Sequence, residues 1–472
     1  MKVKTELNES RLASQFSPKA DAYREKFKKE IEALENTPLA KSGLMEEYDI
    51  VVVGEQLELF QGMLEVCEAQ GNTSQLGVLP KIALDLIVAQ YGSSVLSLIS
   101  TTQTLAEETG RVYYREIIYE DTKGNMTAGD VGTAPHTPPK TPKAYAGSKI
   151  TAEVVETGDG STTSFSGTLT KIAKSETARF YVSASVYCID VGDGTLLGAG
   201  VSGTIDYETG DYTLEFAAAP ANLASVYCDY HENYELAGDL PIIGSRITSK
   251  SVQAQVHALK TTIGQLQSFA FQKRWNQSLE SLASMELMSE LNKELVGLAI
   301  LELLAATAAN GSTTIQFDKT APSGVAEFHH REAFKYKIAE LDSELAKISG
   351  QGKVKLMICG RDLAAYMESL PGFVASMNSD IAGPQVYGTY KGIIVIRVAE
   401  QALLDKDTGL CLYKGRNPWE SPVVYAPYMP ITSTGILPIS PNPLTNQNAV
   451  ASWSAIESLV GQYVVKLQLI AS

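Results

Sequence analysis

Between Asn276 and Ala306 the apolar positions recur in steps of three and four: Leu279, Leu282, Met285, Met288, Leu291, Leu295, Leu298, Leu301 and Ala305. That spacing is the period of one helix face, so it predicts a rod ~45 Å long at ~1.5 Å per residue. Asn276 is placed to cap its start, Glu280 adds favourable charge in the first turns, and Asn310-Gly311 closes it. No proline interrupts the run. A helix nearly three times the usual ~11–12 residues is a strut for other parts of the fold. Leu291, Leu295 and Leu298 are expected to be buried along it, with Leu301 continuing the stripe.

The remaining pattern alternates between helix and strand periods. After Ser17-Pro18 a charged segment places Tyr23, Phe27, Ile31 and Leu34 at steps of four, four and three. This stripe is too thin to fold alone and needs a second surface, on its own domain or on a neighbouring subunit. A second helix is expected over Gly54–Gln70, then a small apolar block over Leu76–Gln103. Arg111–Glu120 and Arg246–Lys260 read as strands, and they fit a long hairpin. Asp121–Lys143 follows the first with three glycines and four prolines, so Pro135, Pro138 and Pro139 mark a loop tip. Residues 149–235 show short strands such as Thr204–Tyr207 and Tyr212–Phe216 between frequent turn signals, which describes an all-β module set into the hairpin. Further on, helices are expected over Ile263–Arg274, Val325–Ser349 and Arg361–Ser369, and strands over Thr313–Phe317, Lys355–Cys359, Gly392–Val398 and Gln462–Ile470. Val423–Ile431 is apolar but holds Pro427 and Pro430, which suits an edge strand or an extended interface segment. Tyr425 and Tyr428 lie in the same stretch, and Pro438–Pro443 reads as a linker.

Composition narrows the function classes. The 472 residues allow two to four domains, and 44% hydrophobic with 20% charged residues is globular. A net charge of −15 argues against general nucleic-acid binding. The most apolar window, Leu79–Ile99, contains Lys81 and Asp85 and is no membrane span; the N-terminus lacks the apolar run of a signal peptide. Five cysteines without CxxC spacing point to a reducing compartment and no zinc site. ASVYC occurs at 184–188 and again at 224–228, and Cys188 and Cys228 are expected to be buried free thiols. Between residues 150 and 235 thirteen acidic residues face three basic ones, Lys171, Lys174 and Arg179, a net of −10.

Candidate chemistry is sparse. His329-His330 point to different faces of a helix and lack a third ligand, so surface histidines are the reading and no metal is expected. Gly158-Asp159-Gly160-Ser161-Thr162 lacks the lysine of a phosphate loop and leads into β structure, so it reads as a turn. No GxSxG elbow occurs. No catalytic residue and no cofactor is assigned. Trp is absent from 149–235, which disfavours a carbohydrate-binding role for the module.

The order of the parts resembles the major capsid proteins of tailed phages, which have the Hong Kong 97 (Johnson) fold, and among them the T-even myovirus type. The resemblance is carried by ALKTTIGQLQ (258–267) running into SLASMELMSELNKELV (281–296), by the helix Phe334–Ile348 followed by KVKLMICGRDLAA (353–365), by VYGTYKGIIVI (386–396) and by VVYAPYMPI (423–431). It covers roughly residues 76–148 and 236–435. The module around GTIDYETGDYTLEF (203–216) is similar to small β domains of phage structural proteins.

The resemblance implies an α+β fold with an N-terminal arm at 1–75 and a peripheral domain that begins at 76–112. It implies an extended loop at 113–148 and 236–262, interrupted by the insertion at 149–235. The spine helix would lie in 263–318, an axial domain at 319–440 and a return to the peripheral domain at 441–472. It further implies assembly of copies into hexamers and pentamers of an icosahedral head around double-stranded DNA, without sequence-specific contact. Portal, scaffold and cement proteins would be partners, no membrane would be involved, and assembly would occur in the host cytoplasm. Assembly roles are expected for Leu291, Leu295, Leu298 and Leu301 of the spine, Pro135, Pro138 and Pro139 of the loop tip, Tyr23, Phe27 and Ile31 of the arm, and Tyr425, Pro427, Tyr428 and Pro430. A cargo-enclosing nanocompartment is the alternative within the same fold, and a β-domain adhesin the alternative outside it.

Overall fold

The computed structural model describes residues 16–37, 40, 45, 47–69, 95–124, 126–130, 145–184, 186–236, 240–349, 353–376, 383–415, 419–433, 437–438 and 444–471. Pro135, Pro138, Pro139 and most of the Leu76–Gln103 block lie outside them. The chain divides into two compact units, Met1–Glu116 with Ile247–Ser472, and Ile117–Arg246.

The first unit opens with helices α1 (residues 16–26), α2 (Lys28–Glu35) and α3 (Glu47–Ala69). The expected single arm helix is thus broken at Phe27, whose φ of −120° and ψ of 44° are not helical. A one-turn helix, α4 (Leu96–Ile99), leads into β1 (Ser100–Thr102) and β2 (Thr109–Tyr119). The module contributes β3 (Lys149–Thr157), β4 (Ser164–Thr168), β5 (Arg179–Tyr181), β6 (Tyr187–Asp190), β7 (Thr195–Ala199), β8 (Val201–Ile205), β9 (Asp211–Phe216) and β10 (Ser225–His231). The chain returns through β11 (Ile243–Gln253) and β12 (Gln255–Gly264) to α5 (Gln265–Trp275) and α6 (Leu279–Ala309). Then come β13 (Ile315–Asp318), α7 (Glu327–Ser349), β14 (Leu356–Gly360), α8 (Arg361–Glu368), β15 (Phe373–Ala375), β16 (Gln385–Tyr390), β17 (Ile393–Val398) and β18 (Thr408–Leu412). The last strands are β19 (Val423–Ser433), β20 (Leu437–Pro438), β21 (Thr445–Ser458) and β22 (Val464–Ile470).

A seven-stranded sheet, ordered β13-β22-β18-β14-β17-β16-β15, is the centre of the first unit. Its inner strands β14 and β18 are buried along their whole length because both faces are covered. Leu356 and Ile358 of β14 face one core with Leu295, Ile300 and Leu303 of α6. Met357 and Cys359, between them, face a second core with Phe334, Ile338, Leu341 and Leu345 of α7 and Leu363 of α8. The expected α7 face is therefore the buried one.

A second sheet, ordered β1-β19-β21-β12 with β20 beside β21, packs on the same long helix. Val423–Ile431, expected as an edge strand or an extended interface segment, lies within β19, which is an inner strand. It runs parallel to β1 over Val423–Tyr425 and antiparallel to β21 over its length. Its prolines are tolerated because β1 ends opposite Tyr425 and because the register with β21 shifts between Pro427 and Met429 and again before Thr432. A missing N–H there breaks no regular ladder bond. β2 and β11 form a separate two-stranded ribbon, which is the expected hairpin only in part: of the return strand expected over Arg246–Lys260, the stretch from Gln255 onward belongs to β12 and pairs with β21 instead. The return strand is divided at Ala254, whose N–H bonds Glu108 O at 2.9 Å.

The second unit holds an eight-stranded antiparallel sheet, ordered β3-β10-β5-β6-β7-β8-β9-β4. Alternate residues supply its core: Phe180, Leu196, Val201, Tyr212, Leu214, Phe216, Val226 and Tyr230. Gly210, at φ 82°, closes the Glu208–Asp211 turn in a conformation that favours glycine. The two ASVYC copies flank β5 on opposite sides, since Cys188 and Cys228 both oppose Phe180. Two strand spacings separate their Cα atoms by about 9.6 Å. A disulfide needs ~4.4–6.8 Å. Both are buried free thiols, and burial pushes the Cys188 thiol up to about 11 and that of Cys228 further.

Candidate assembly surfaces

The long helix is capped by Ser278, whose side chain accepts from Ser281 N at 3.3 Å. Asn276, the expected cap, instead ends α5 in a left-handed conformation at φ 56°. The two capping signals lie two residues apart, and only the break between the helices decides which one caps. Leu291 and Leu295 are fully buried, as expected, but Leu298 is half-buried and Leu301 is 49% exposed. The buried line follows Leu291, Leu295, Ala299, Leu303 and Ala306, with Val296 and Ile300 beside it. The helix is apolar on most sides over this stretch, so period alone could not select the buried face. Small residues mark the close approaches: a Cβ on Gly297 would stand 3.0 Å from Leu403 Cδ2.

The N-terminal stripe is covered by its own chain. Phe27, Ile31 and Leu34 are buried against Ile50, Val51, Val53, Leu57 and Phe60 of α3. Tyr23 lies over Gly54, where an added Cβ would come 2.3 Å from the ring, and donates its hydroxyl to Glu58 at 3.0 Å. Burial, then this hydrogen bond, pushes the Tyr23 phenol up to about 12. Lys26 meets Glu58 at 2.5 Å, and Arg24 joins Asp21, Glu35 and Glu47. Tyr48 ties α3 to β1 by donating to Thr102 O at 2.5 Å.

In β19, Tyr425, Pro427 and Pro430 are buried and Tyr428 is half-buried, its ring edge-on to Trp453 at 5.1 Å. This segment therefore serves the sheet of its own chain. The residues that hold it were missed in the sequence. β21 carries Asn448, Ser452 and Ser454 fully buried, and Asn448 bonds Ser284 of α6 at 2.5 Å and Ser433 at 2.9 Å.

Candidate chemistry resolves into structure. His330 stacks on Phe317 at 4.9 Å, and its Nε2 lies 2.6 Å from Asp318 O. His329 sits against Phe328. Gly158–Thr162 is a turn in which Asp159 accepts from Ser161 N at 2.8 Å and Thr162 N at 2.7 Å. Among the described residues, no group of three or more His, Cys, Asp or Glu side chains is arranged to hold a metal, and no helix is long and apolar enough to cross a membrane.

Comparison with known proteins identifies the chain. Residues 79–453 match the family model of the major capsid protein Gp23. No curated protein sequence matches. Similar solved structures include the capsid of jumbo bacteriophage PhiKZ, at 9% identity over 79% of this chain and 91% of that one, with a TM-score of 0.37. A chain from Mycobacterium phage Bobi is 12% identical over 51% of this chain and 79% of its own, with a TM-score of 0.33. A virus-like particle from Pyrococcus furiosus is 12% identical over 48% and 81%, with a TM-score of 0.31. The assignment rests on the family match, which spans most of the chain and includes both the long helix and the inner strand β19: the chain belongs to the Gp23 family and is a major capsid protein of a phage head.

Proposed function

We propose that copies of this chain close into hexamers and pentamers of an icosahedral shell around double-stranded DNA. The observation that carries this reading is the family match over residues 79–453. In this reading the β2–β11 ribbon is the extended loop and α6 is the spine. The region 319–440 supplies the axial domain, and 441–472 returns to the peripheral one. Residues 1–75 form the arm, although Phe27, Ile31 and Leu34 serve first to hold α2 on α3. Portal, scaffold and cement proteins complete the head, and assembly takes place in the host cytoplasm. The role is structural, and no catalysis is assigned.

The inserted module faces outward in this proposal. With a net of −10 between residues 150 and 235, many copies on the inner wall would repel packaged DNA. Outside, the same charge keeps particles apart. A reconstruction of particles from infected cells tests both statements. Closed shells with the module outside are expected. A chain that sediments only as a monomer overturns the shell, and modules against the genome overturn the orientation.

A further inference from the structure

Helix α5 is a surface helix with the wrong residues for water. None of its residues is buried, yet Leu266 is 73%, Phe269 67% and Trp275 58% exposed. Leu266, Phe269 and Ala270 fall on one face at helical spacing, and Lys273 follows one turn later. The helix contains no acidic residue, and Lys273 and Arg274 occupy its last turn. It joins the end of β12 directly to the start of α6 and packs beside those two elements.

The same unit holds a groove with the opposite character. Between β12 and the first half of α6 lies a cavity of about 580 Å³ with Leu259, Leu287 and Leu403 on its floor. Its rim carries Glu286, Glu290, Glu294 and Glu400 against Lys260 and Lys293, a net of −2, opposite in sign to the +2 of α5. No residue of α5 lines it. β12 pairs with β21 on one side, and among the described residues no strand pairs with its other side. A sheet edge of ten residues is commonly protected by a covering helix.

We propose that α5 of one copy docks in the β12–α6 groove of the next copy, its Leu266–Phe269 face on the leucine floor and Lys273 and Arg274 against the glutamate rim. The contact joins two different surfaces of the same chain, so it propagates head to tail, and a rotation between copies that closes makes it a ring. The inference rests on the assembly reading above and specifies one of its contacts.

Mixing two single variants isolates the contact. Phe269→Cys protein and Leu287→Cys protein are combined, allowed to assemble and oxidised. A disulfide between position 269 of one chain and position 287 of a differently isotope-labelled chain is expected in assembled particles, with no such crosslink in either variant alone. Normal particles without that disulfide overturn the proposal, as does an equal yield of crosslinked dimer from either variant by itself. A charge exchange covers the case in which either cysteine variant misfolds. K273E/R274E lies on an exposed helix, so its melting should match wild type while its particle yield falls about tenfold or more. Adding E286K/E290K to it should restore the yield. Unchanged yield in K273E/R274E, or no rescue, overturns the proposal. Failure of the wild-type chain to form particles at all would instead count against the assembly reading.

Discussion

The module and the seven-stranded sheet are both buried-core β structures, but they are wired differently. In the module, β5 to β9 pair each with the next in chain order, and only β3, β4 and β10 make longer connections. In the other unit, β1 pairs with β19, β13 with β22 and β12 with β21, so each of these ladders joins segments more than a hundred residues apart. Loop-closure cost and the order of assembly therefore differ. A region closed by near neighbours can be inserted or lost as a piece. One closed by its last strand cannot. That contrast agrees with the module's ends, since β3 and β10 pair with each other and leave the sheet side by side.

The largest expected effect breaks the contrast directly. β22 lies between β13 and β18, and its Val465, Leu467 and Leu469 are buried. Deleting residues 464–472 leaves β13 without a strand partner and β18 paired only with β14, and is expected to remove the whole stability of the first unit, ~5–15 kcal/mol for a domain. The module should survive. Limited proteolysis of the truncated chain should release a resistant fragment near residues 145–236 with native β circular dichroism. Complete digestion would show that the module depends on the rest of the chain.

Single core residues sharpen the comparison at smaller scale. Phe180 is fully buried at the centre of the module, between Cys188 and Cys228. Phe180→Ala should cost ~3–5 kcal/mol in the module alone, and Leu295→Ala ~2–5 kcal/mol in the other unit alone. Calorimetry of the full chain should show one transition moving in each variant and the other fixed. Leu301→Ala should change unfolding by within ~0.5 kcal/mol because the side chain is half exposed. A large loss of particles in that variant, without loss of fold, would identify Leu301 as an intersubunit contact.

The same wiring decides what the sequence revealed. Periodicity located the long helix, the α7 face, part of the hairpin and the module, because those signals are local. It left Val423–Ile431 as an edge strand or an interface segment, because prolines signal either and only the distant strands β1 and β21 make the segment internal. It missed β21 altogether. Thr445–Ser458 is rich in Asn, Ser and Ala, which have low strand preference, and its buried Asn448, Val450, Ser452 and Ser454 alternate with half-exposed residues, so only one of the four is a strong apolar signal. Such residues are needed where a strand lies between two others and under a helix, with Ser452 and Asn448 satisfied by hydrogen bonds to Met429 O and Ser284. The candidate interface was legible only in part. The aromatic stripe of α1 and α2 announced a partner surface, but not that the surface is α3. The exposed face of α5 was visible only once the helix was seen to bury nothing.

The smallest expected effect concerns acid, and here too the regions differ. The module's turns are pinned by aspartates that accept from nearby backbone N–H groups and hydroxyls. Asp159 is held far below the usual carboxylate range by Thr162 N, the Thr162 hydroxyl and Ser161 N. Asp193 is lowered by the Thr195 hydroxyl and N–H, and Asp206 by Glu208 N. A carboxyl with a depressed folded pKa stabilises fully above its unfolded value, ~3.9 for Asp, and loses that contribution as pH falls through the folded one. In the first unit Glu58 is lowered by its hydrogen bond from Lys26 and then by that from Tyr23. It follows the same sign from ~4.3 downward. Lys26 and Glu58 are 45% and 51% exposed, so solvent screening limits this pair to ~0.2–1 kcal/mol. Between about pH 5 and pH 2 the module's transition should therefore fall with acid through its three turns, and D159N/D193N/D206N should flatten that dependence. Glu58→Gln should flatten only a small part of the dependence of α1–α3, read by hydrogen exchange at α3. A module transition whose acid dependence is unchanged in the triple variant would show that its turns are held by backbone geometry alone.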